Sequence, residues 1–375
     1  MRALVVGGGI GGLGAGLALR RVGIEAVVLE QAQRLEAVGA GLGLASNAML
    51  ALDRIGIGDA VRAQGLATGR LVACKPSGAP LVDVPLEGRE MLGVHRADLQ
   101  EVMAGELGQS LRLGAACAGF RDGGASVAVR LDSGEELQGD VLVGADGLRS
   151  KTRAWLLGDC PLLYAGYTGW RALTELEHDA LRGRMTETWG RGVRFGLIPI
   201  GRGRVYWFVA ESSAEPEAAL VPGRKAELAR LVEGWHEPIE AAVAATSEDA
   251  ISGTGIYWRR PAPSWGRGRA TLLGDAAHPM TPDLSQGAAQ ALEDAVVLAA
   301  SLRDASDPGA GLRAYEAARR KRTAQVVRRS FQAGRLAQAS SAAGAAFRDL
   351  MIGLLPNRLH GIQQAKLVAA ELPEL

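Results

Sequence analysis

Apolar and polar positions change period several times along the chain. Ala3 to Val6 is an unbroken apolar run of strand type. The glycines from Gly7 to Gly12 follow, then helical spacing over Leu13 to Arg21 and a second apolar run, Ala26 to Glu30. Gly23, just past the helical pattern, is placed to stop the helix. Strand, tight turn, helix and strand in that order predict half of a doubly wound nucleotide fold.

From about Gly39 to Ser110 short polar and apolar segments alternate, with a second helical pattern over Asn47 to Arg54. Ala125 to Leu131 reads as one arm of a hairpin, Asp132-Ser133-Gly134 as its turn, and Asp140 to Gly144 as a strand soon after. Tyr164, Tyr167, Trp170, Trp189, Phe195, Tyr206, Trp207 and Phe208 then crowd between residues 160 and 210. Within that stretch Arg194 to Ile200 and Arg204 to Ala210, joined by a Gly/Arg turn at 201–203, predict adjacent antiparallel strands. Ala270 to Leu273 reads as a short buried strand returning to the nucleotide unit, and Gly287 to Leu302 as a helix. Leu312 to about Ala370 has helical spacing broken near Pro356.

A chain of 375 residues is long for a single unit, so two or three are expected. Lys plus Arg number 42 against 41 Asp plus Glu, and a net charge of +1 lacks the footprint of a nucleic-acid binder. The first strand begins almost at Met1, which leaves no room for a signal peptide, so export is not expected. No apolar stretch reaches the roughly 18 residues of a spanning helix. Cys74, Cys117 and Cys160 are odd in number and lack CxxC spacing, which favours a reducing cytoplasm over disulfides or structural zinc. No metal is expected. The basic residues Arg319, Arg320, Lys321 and Arg322 are a weak membrane-surface feature, and a packed helix is the favoured reading there.

Gly7, Gly9 and Gly12 have GxGxxG spacing, with Gly11 inside the same turn. The first glycine allows the turn, the second lets a pyrophosphate approach the backbone, and the third lets helix and strand pack closely. The phosphate would meet a helix N-terminus, where free amides favour anions. Glu30 ends the second strand, where a carboxylate can accept from a ribose hydroxyl; Gln31 adjoins it. This segment points to a dinucleotide and does not separate FAD from NAD(P).

Two later segments separate them: Gly144-Ala145-Asp146-Gly147-Leu148-Arg149-Ser150-Lys151-Thr152-Arg153 and Gly274-Asp275-Ala276-Ala277-His278-Pro279. With the glycine motif they resemble the group A FAD-dependent monooxygenases of the aromatic-hydroxylase type, in the branch of urate hydroxylase and zeaxanthin epoxidase. The resemblance covers roughly residues 1–335. It implies an α/β fold in which a Rossmann-like FAD-binding domain (1–70, 92–160, 266–335) carries an inserted antiparallel β-sheet substrate domain (71–91, 161–265). C-terminal helices (336–375) follow.

The resemblance also implies roles. Asp275 would bond the ribityl hydroxyls of FAD, Asp146 would help hold flavin and nicotinamide, and Arg96 would reach the cofactor. Gly43 and Cys117 match positions that touch FAD mainly through backbone. Pro279 to Gly287, PMTPDLSQG, would lie beside the flavin ring, with Gln286, Gly287 and Ala288 opening a helix aimed at its N1 and C2 carbonyl. Ser285 stands where the family most often has glycine, and serine there can serve as a helix N-cap. His278, inside the GD motif, is read as structural.

Arg194 and Tyr206, in RFGLIPIGRGRVYWF, match substrate-handling positions of the urate hydroxylase branch; with Pro279 they form the candidate catalytic set. An Arg fork suits an anionic or carbonyl-bearing aromatic. The implied reaction uses NAD(P)H as transient co-substrate and O2, through a flavin hydroperoxide, to hydroxylate an aromatic or other electron-rich small molecule. The alternatives are an epoxidase or quinone/isoprenoid monooxygenase on the same fold, and a dinucleotide-binding protein without turnover. The expected protein is a monomer or homodimer, without nucleic-acid or membrane-surface partners.

Overall fold

The computed structural model describes residues 1–35, 41–158, 160–216 and 224–375. Gly39 therefore lies outside the described residues. Its nucleotide unit is built on a five-stranded sheet in the order Ala270–Leu272, Val141–Gly144, Arg2–Val6, Glu25–Leu29, Leu111–Arg112, with every pairing parallel. The continuous apolar run Ala3 to Val6 is what a parallel central strand requires, because both its faces are covered. Helix Ile10–Arg21 packs on helix Gly287–Arg303, so the first and last thirds of the chain share one core. The expected hairpin is present as Val127–Leu131 and Glu136–Gly139, with Gly134 at positive φ in its turn. Cys117–Asp122 adds a third strand that was not anticipated.

The aromatic stretch forms a seven-stranded sheet: Ser252–Trp258, Leu163–Glu175, Arg204–Ser212, Val193–Pro199, Arg184–Trp189, Arg70–Cys74, Pro80–Pro85. All its pairings are antiparallel except that of Arg184–Trp189 with Arg70–Cys74. Arg194 pairs with Ala210 and Ile198 with Tyr206, the register expected of the two central strands. Period-2 alternation sorts the side chains by face. Trp170, Phe195, Leu197, Trp207 and Val209 form a core beneath helices Lys225–Leu231 and Ile239–Ala245. Leu173, Met185, Ile198, Tyr206 and Phe208 face the other way, toward Ala45 and Met91.

Helix Pro308–Ala337 starts with Asp307 accepting from the Ala310 amide and with Pro308 in its first turn, a capped start earlier than Leu312. The helical tail breaks at Pro356, as its sequence predicts, and also before Ala342, where Ser341 caps a new helix by accepting from Gly344.

Candidate functional site

Helix Ile10–Arg21 opens on Gly9, which has no side chain to cap the first amides. A Cβ on Gly12 would stand 1.8 Å from the Gly7 carbonyl oxygen, whereas one on Gly9 would meet none of the described residues within 4 Å. Close helix–strand packing therefore demands the third glycine, and the second borders open space where a phosphate can approach. Glu30 accepts from the Gly8 amide at 2.6 Å and from the Ala32 amide at 2.9 Å, so its carboxylate pins the end of the second strand to the glycine turn. Gln31 beside it is exposed.

Asp146 organises its own turn. It accepts from the Ser150 hydroxyl at 2.5 Å and from the Thr152 amide and hydroxyl at 2.9 and 3.1 Å. Ser150 in turn caps helix Lys151–Leu157 through the Arg153 amide. Cys117 lies within electrostatic range of Asp146, and burial pushes its thiol above the ordinary range. Gly43 sits in strand Gly41–Ala45 next to the sulfurs of Met91 and Met185.

Asp275 is placed differently. Its Oδ1 lies 3.9 Å from where a Cβ of Gly287 would be, so it faces the N-terminus of helix Gly287–Arg303. Its side chain reaches solvent although protein atoms crowd around it. Burial pushes its carboxyl upward, opposed by His278 and by Arg96. Burial conversely lowers Arg96, which Asp275 stabilises and Arg171 opposes. Asp275, Arg96 and Arg171 thus share one electrostatic neighbourhood, with the first-turn amides of Gly287 and Ala288, which no side chain caps, near Asp275.

The loop from Pro279 to Gly287 is held from below. Ser285 adopts φ +50°, a left-handed backbone, and Gln286 rather than Ser285 occupies the N-cap position, so serine does not cap this helix. Buried Gln286 accepts from Asn47 at 2.9 Å and from Gln290 at 3.2 Å. Pro279 is buried, and its carbonyl accepts from the Arg259 amide. His278 bonds Asp294 at 2.5 Å, and Asp294 also receives Arg319 at 2.6 Å and the Gly274 amide at 3.1 Å. His278 therefore ties the GD turn to the helix behind it.

Arg194 is buried on the same face of the large sheet as Ile198 and Tyr206. Its Nη2 meets Asp283 at 2.5 Å, Nη1 meets Glu187 at 2.9 Å and Nε donates to Gln338 at 2.8 Å. Burial alone would depress this guanidinium, but Glu187 and Asp283 hold it well above its ordinary value. Asp283 also accepts from the Tyr167 hydroxyl at 2.8 Å, so one carboxylate inside the loop clasps two strands. Tyr206 lies over Gly41 and beside Phe208, and burial raises its hydroxyl while Arg171 lowers it.

Two residues were missed from the sequence. Asp283 sits in an aperiodic loop, where nothing marks an acid as turned inward. Arg171 was legible: Gly169, Arg171 and Leu173 alternate with Trp170 and Ala172, which puts Arg171 on the Tyr206 face. Its Nε is buried without a hydrogen-bond partner among the described residues.

The open space at Gly9, the carboxylate of Asp275 and the free amides before Ala289 fit a nucleotide whose far end is a flavin. Such an arrangement suits a flavin monooxygenase, a class in which bound FAD supplies the oxygen-activating redox chemistry. The chain belongs to the family described by the FAD binding domain model, which matches residues 1–330. It is 42% identical over 363 residues to the aurachin C monooxygenase/isomerase of Stigmatella aurantiaca, covering 95% of this chain and 94% of that one. It is 34% identical over 343 residues to the FAD-dependent urate hydroxylase of Klebsiella pneumoniae, covering 87% and 88%. The crystal structure of Klebsiella pneumoniae HpxO with FAD and uric acid superposes with a TM-score of 0.91 at 30% identity, over 98% of this chain and 96% of that one. The protein is accordingly an FAD-dependent monooxygenase using NAD(P)H and O2, of group A.

Proposed function

We propose that this enzyme oxygenates a small, electron-rich aromatic compound bearing a carbonyl or anionic group. The carrying observation is the Tyr206 face of the large sheet, where apolar Leu173, Met185, Ile198 and Phe208 pack with Tyr206 beside Arg171, whose Nε has no hydrogen-bond partner among the described residues. An apolar wall excludes water and orients a flat ring, and a guanidinium fork suits a planar oxygen pair. Arg171 would receive the polar edge of the substrate and Tyr206 its ring. Arg194 would act through the loop it holds, keeping Pro279 and the helix start at Gly287 in place. Gly7, Gly9, Gly11, Gly12, Glu30, Gln31, Gly43, Arg96, Cys117, Asp146, Asp275, Gln286, Gly287 and Ala288 form the proposed FAD surface.

We also infer the division into a discontinuous FAD domain (1–70, 92–160, 266–335), a substrate domain (71–91, 161–265) and helices 336–375. The paired strands Arg70–Cys74 and Pro80–Pro85 in the large sheet support it. The free thiols Cys74, Cys117 and Cys160 support a cytoplasmic location. Purified protein should be yellow and, with NADH or NADPH, should consume oxygen faster when an appropriate phenolic, purine-like, quinone or isoprenoid compound is added. Flavin-loaded protein in which only apolar isoprenoids stimulate turnover would overturn the aromatic assignment.

A further inference from the structure

Helix Ala342–Gly353 turns its apolar side outward. Its buried stripe is Ala345, Arg348 and Ile352, whereas Phe347, Leu350, Met351 and Leu354 are exposed, Phe347 and Leu354 by 63% and 67%. Those four positions are spaced i, i+3, i+4, i+7 and so share one helical face. Hydrogen bonds fix the orientation. The inward guanidinium of Arg348 donates to the carbonyls of Gly190 at 3.0 Å, Ala337 at 2.8 Å and Trp189 at 3.3 Å, and pairs with Asp349. The polar side is anchored and the apolar side is left to solvent. Leu355, Leu359 and Ile362 continue the surface past Pro356 onto helix Asn357–Val368.

Apart from Asp349, the charged residues of the two helices are basic. Arg335, Arg358 and Lys366 are exposed, and Arg358, Ile362 and Lys366 recur at four-residue spacing, so two cations flank an apolar position. Asp349 is the single acid between residues 335 and 368 and is tied to Arg348. Asp83, which meets Asn357 beneath the second helix, is paired with Arg70. A two-fold contact with a second copy would set this basic rim against itself. An anionic lipid surface would meet it with opposite charge and would take the apolar side chains into its interfacial layer.

We propose that helices Ala342–Gly353 and Asn357–Val368 dock on an anionic membrane surface, with Phe347, Leu350, Met351 and Leu354 at acyl depth and Arg358 and Lys366 among headgroups. This departs from the sequence expectation of no membrane-surface partner, and it is independent of the proposed substrate. The basic run Arg319 to Arg322 does not serve that role, because Arg319 and Arg322 turn inward onto Glu293.

The test is co-sedimentation of the FAD-loaded full chain with phosphatidylcholine vesicles carrying phosphatidylglycerol, and with phosphatidylcholine alone. Pelleting with the anionic vesicles, weakened by salt, is expected. Leu350→Ser with Leu354→Ser, and separately Arg358→Glu with Lys366→Glu, should each lower partitioning by about tenfold or more. Flavin absorbance and circular dichroism should stay unchanged. Wild-type protein that stays in the supernatant overturns the proposal, and a dimer dispersed by the two serines would then assign the face to a second copy. Equal pelleting of wild type and both variants overturns it as well.

Discussion

Ser285 holds a left-handed backbone, φ +50° and ψ +35°, that costs a residue with a Cβ roughly 1–2 kcal/mol. Ser285→Gly should relieve that cost, offset by the greater freedom of glycine in the unfolded chain, for a net gain of about 0.5–1 kcal/mol. Chemical denaturation of the two proteins measures it; an unchanged midpoint would mean that the loop compensates the strain. Asp275 has no comparable internal duty, unlike Asp146, whose three bonds serve its own turn. Asp275→Ala should therefore leave the fold intact and weaken FAD by roughly 10- to 100-fold, the worth of hydrogen bonds to a charged group. Equilibrium dialysis reads this, and unaltered occupancy would remove Asp275 from the flavin surface. Arg171→Ala should keep full flavin and raise the KM for the stimulating substrate by about tenfold or more, as expected when a charged partner is lost. If KM holds while kcat falls, the residue acts on the chemistry and not on binding.

At the scale of elements, helix Gly287–Arg303 is fixed by buried charge. Glu293 and Asp294 receive Arg319, Arg322, His278 and Asn47 on one side of the helix. Burial alone would raise both carboxyls, but the arginines and His278 hold them below their ordinary values of 4.5 and 3.8. A depressed folded pKa stabilises the protein above the unfolded pKa, and that stability disappears as pH falls through the folded value. Acid unfolding should therefore steepen below about pH 4. Arg319→Met should destabilise at neutral pH by roughly 3–5 kcal/mol and flatten the acid limb. Thermal melts across pH decide this; parallel curves for both proteins would dismiss the network as the source.

The sequence could identify these elements better than their interactions. Ala3 to Val6, Gly287 to Leu302 and the two central aromatic strands announce themselves by period. The glycine, DG and GD motifs, on which the proposed cofactor surface rests, were legible because backbone geometry constrains them locally. Arg194 was visible as a polar residue in an aromatic strand. That its donors close on Glu187, Asp283 and Gln338 depends on partners 7, 89 and 144 residues away, which no local pattern encodes. The break before Ala342 and the outward turn of Phe347 likewise depend on where Arg348 finds its carbonyls.

Across the whole molecule, the residues proposed to hold FAD come from segments far apart in the chain: Gly7 to Gln31, Gly43, Arg96, Cys117, Asp146, and Asp275 to Ala288. Helix Ile10–Arg21 packs directly on helix Gly287–Arg303, so a ligand held by both ends of the chain is coupled to the main core rather than to one loop. Binding that favours only the folded state adds RT ln(1 + [L]/Kd), about 4 kcal/mol at a thousandfold excess over Kd. FAD-free protein should therefore melt several degrees lower than the loaded form. Its amides should lose hydrogen-exchange protection together at the glycine turn, the DG turn and the start of helix Gly287–Arg303. A nucleotide bound only by the N-terminal turn would protect the first of these and leave the other two unchanged. Exchange measured with and without FAD separates the cases, and protection confined to residues near Gly9 would detach the GD segment from the cofactor.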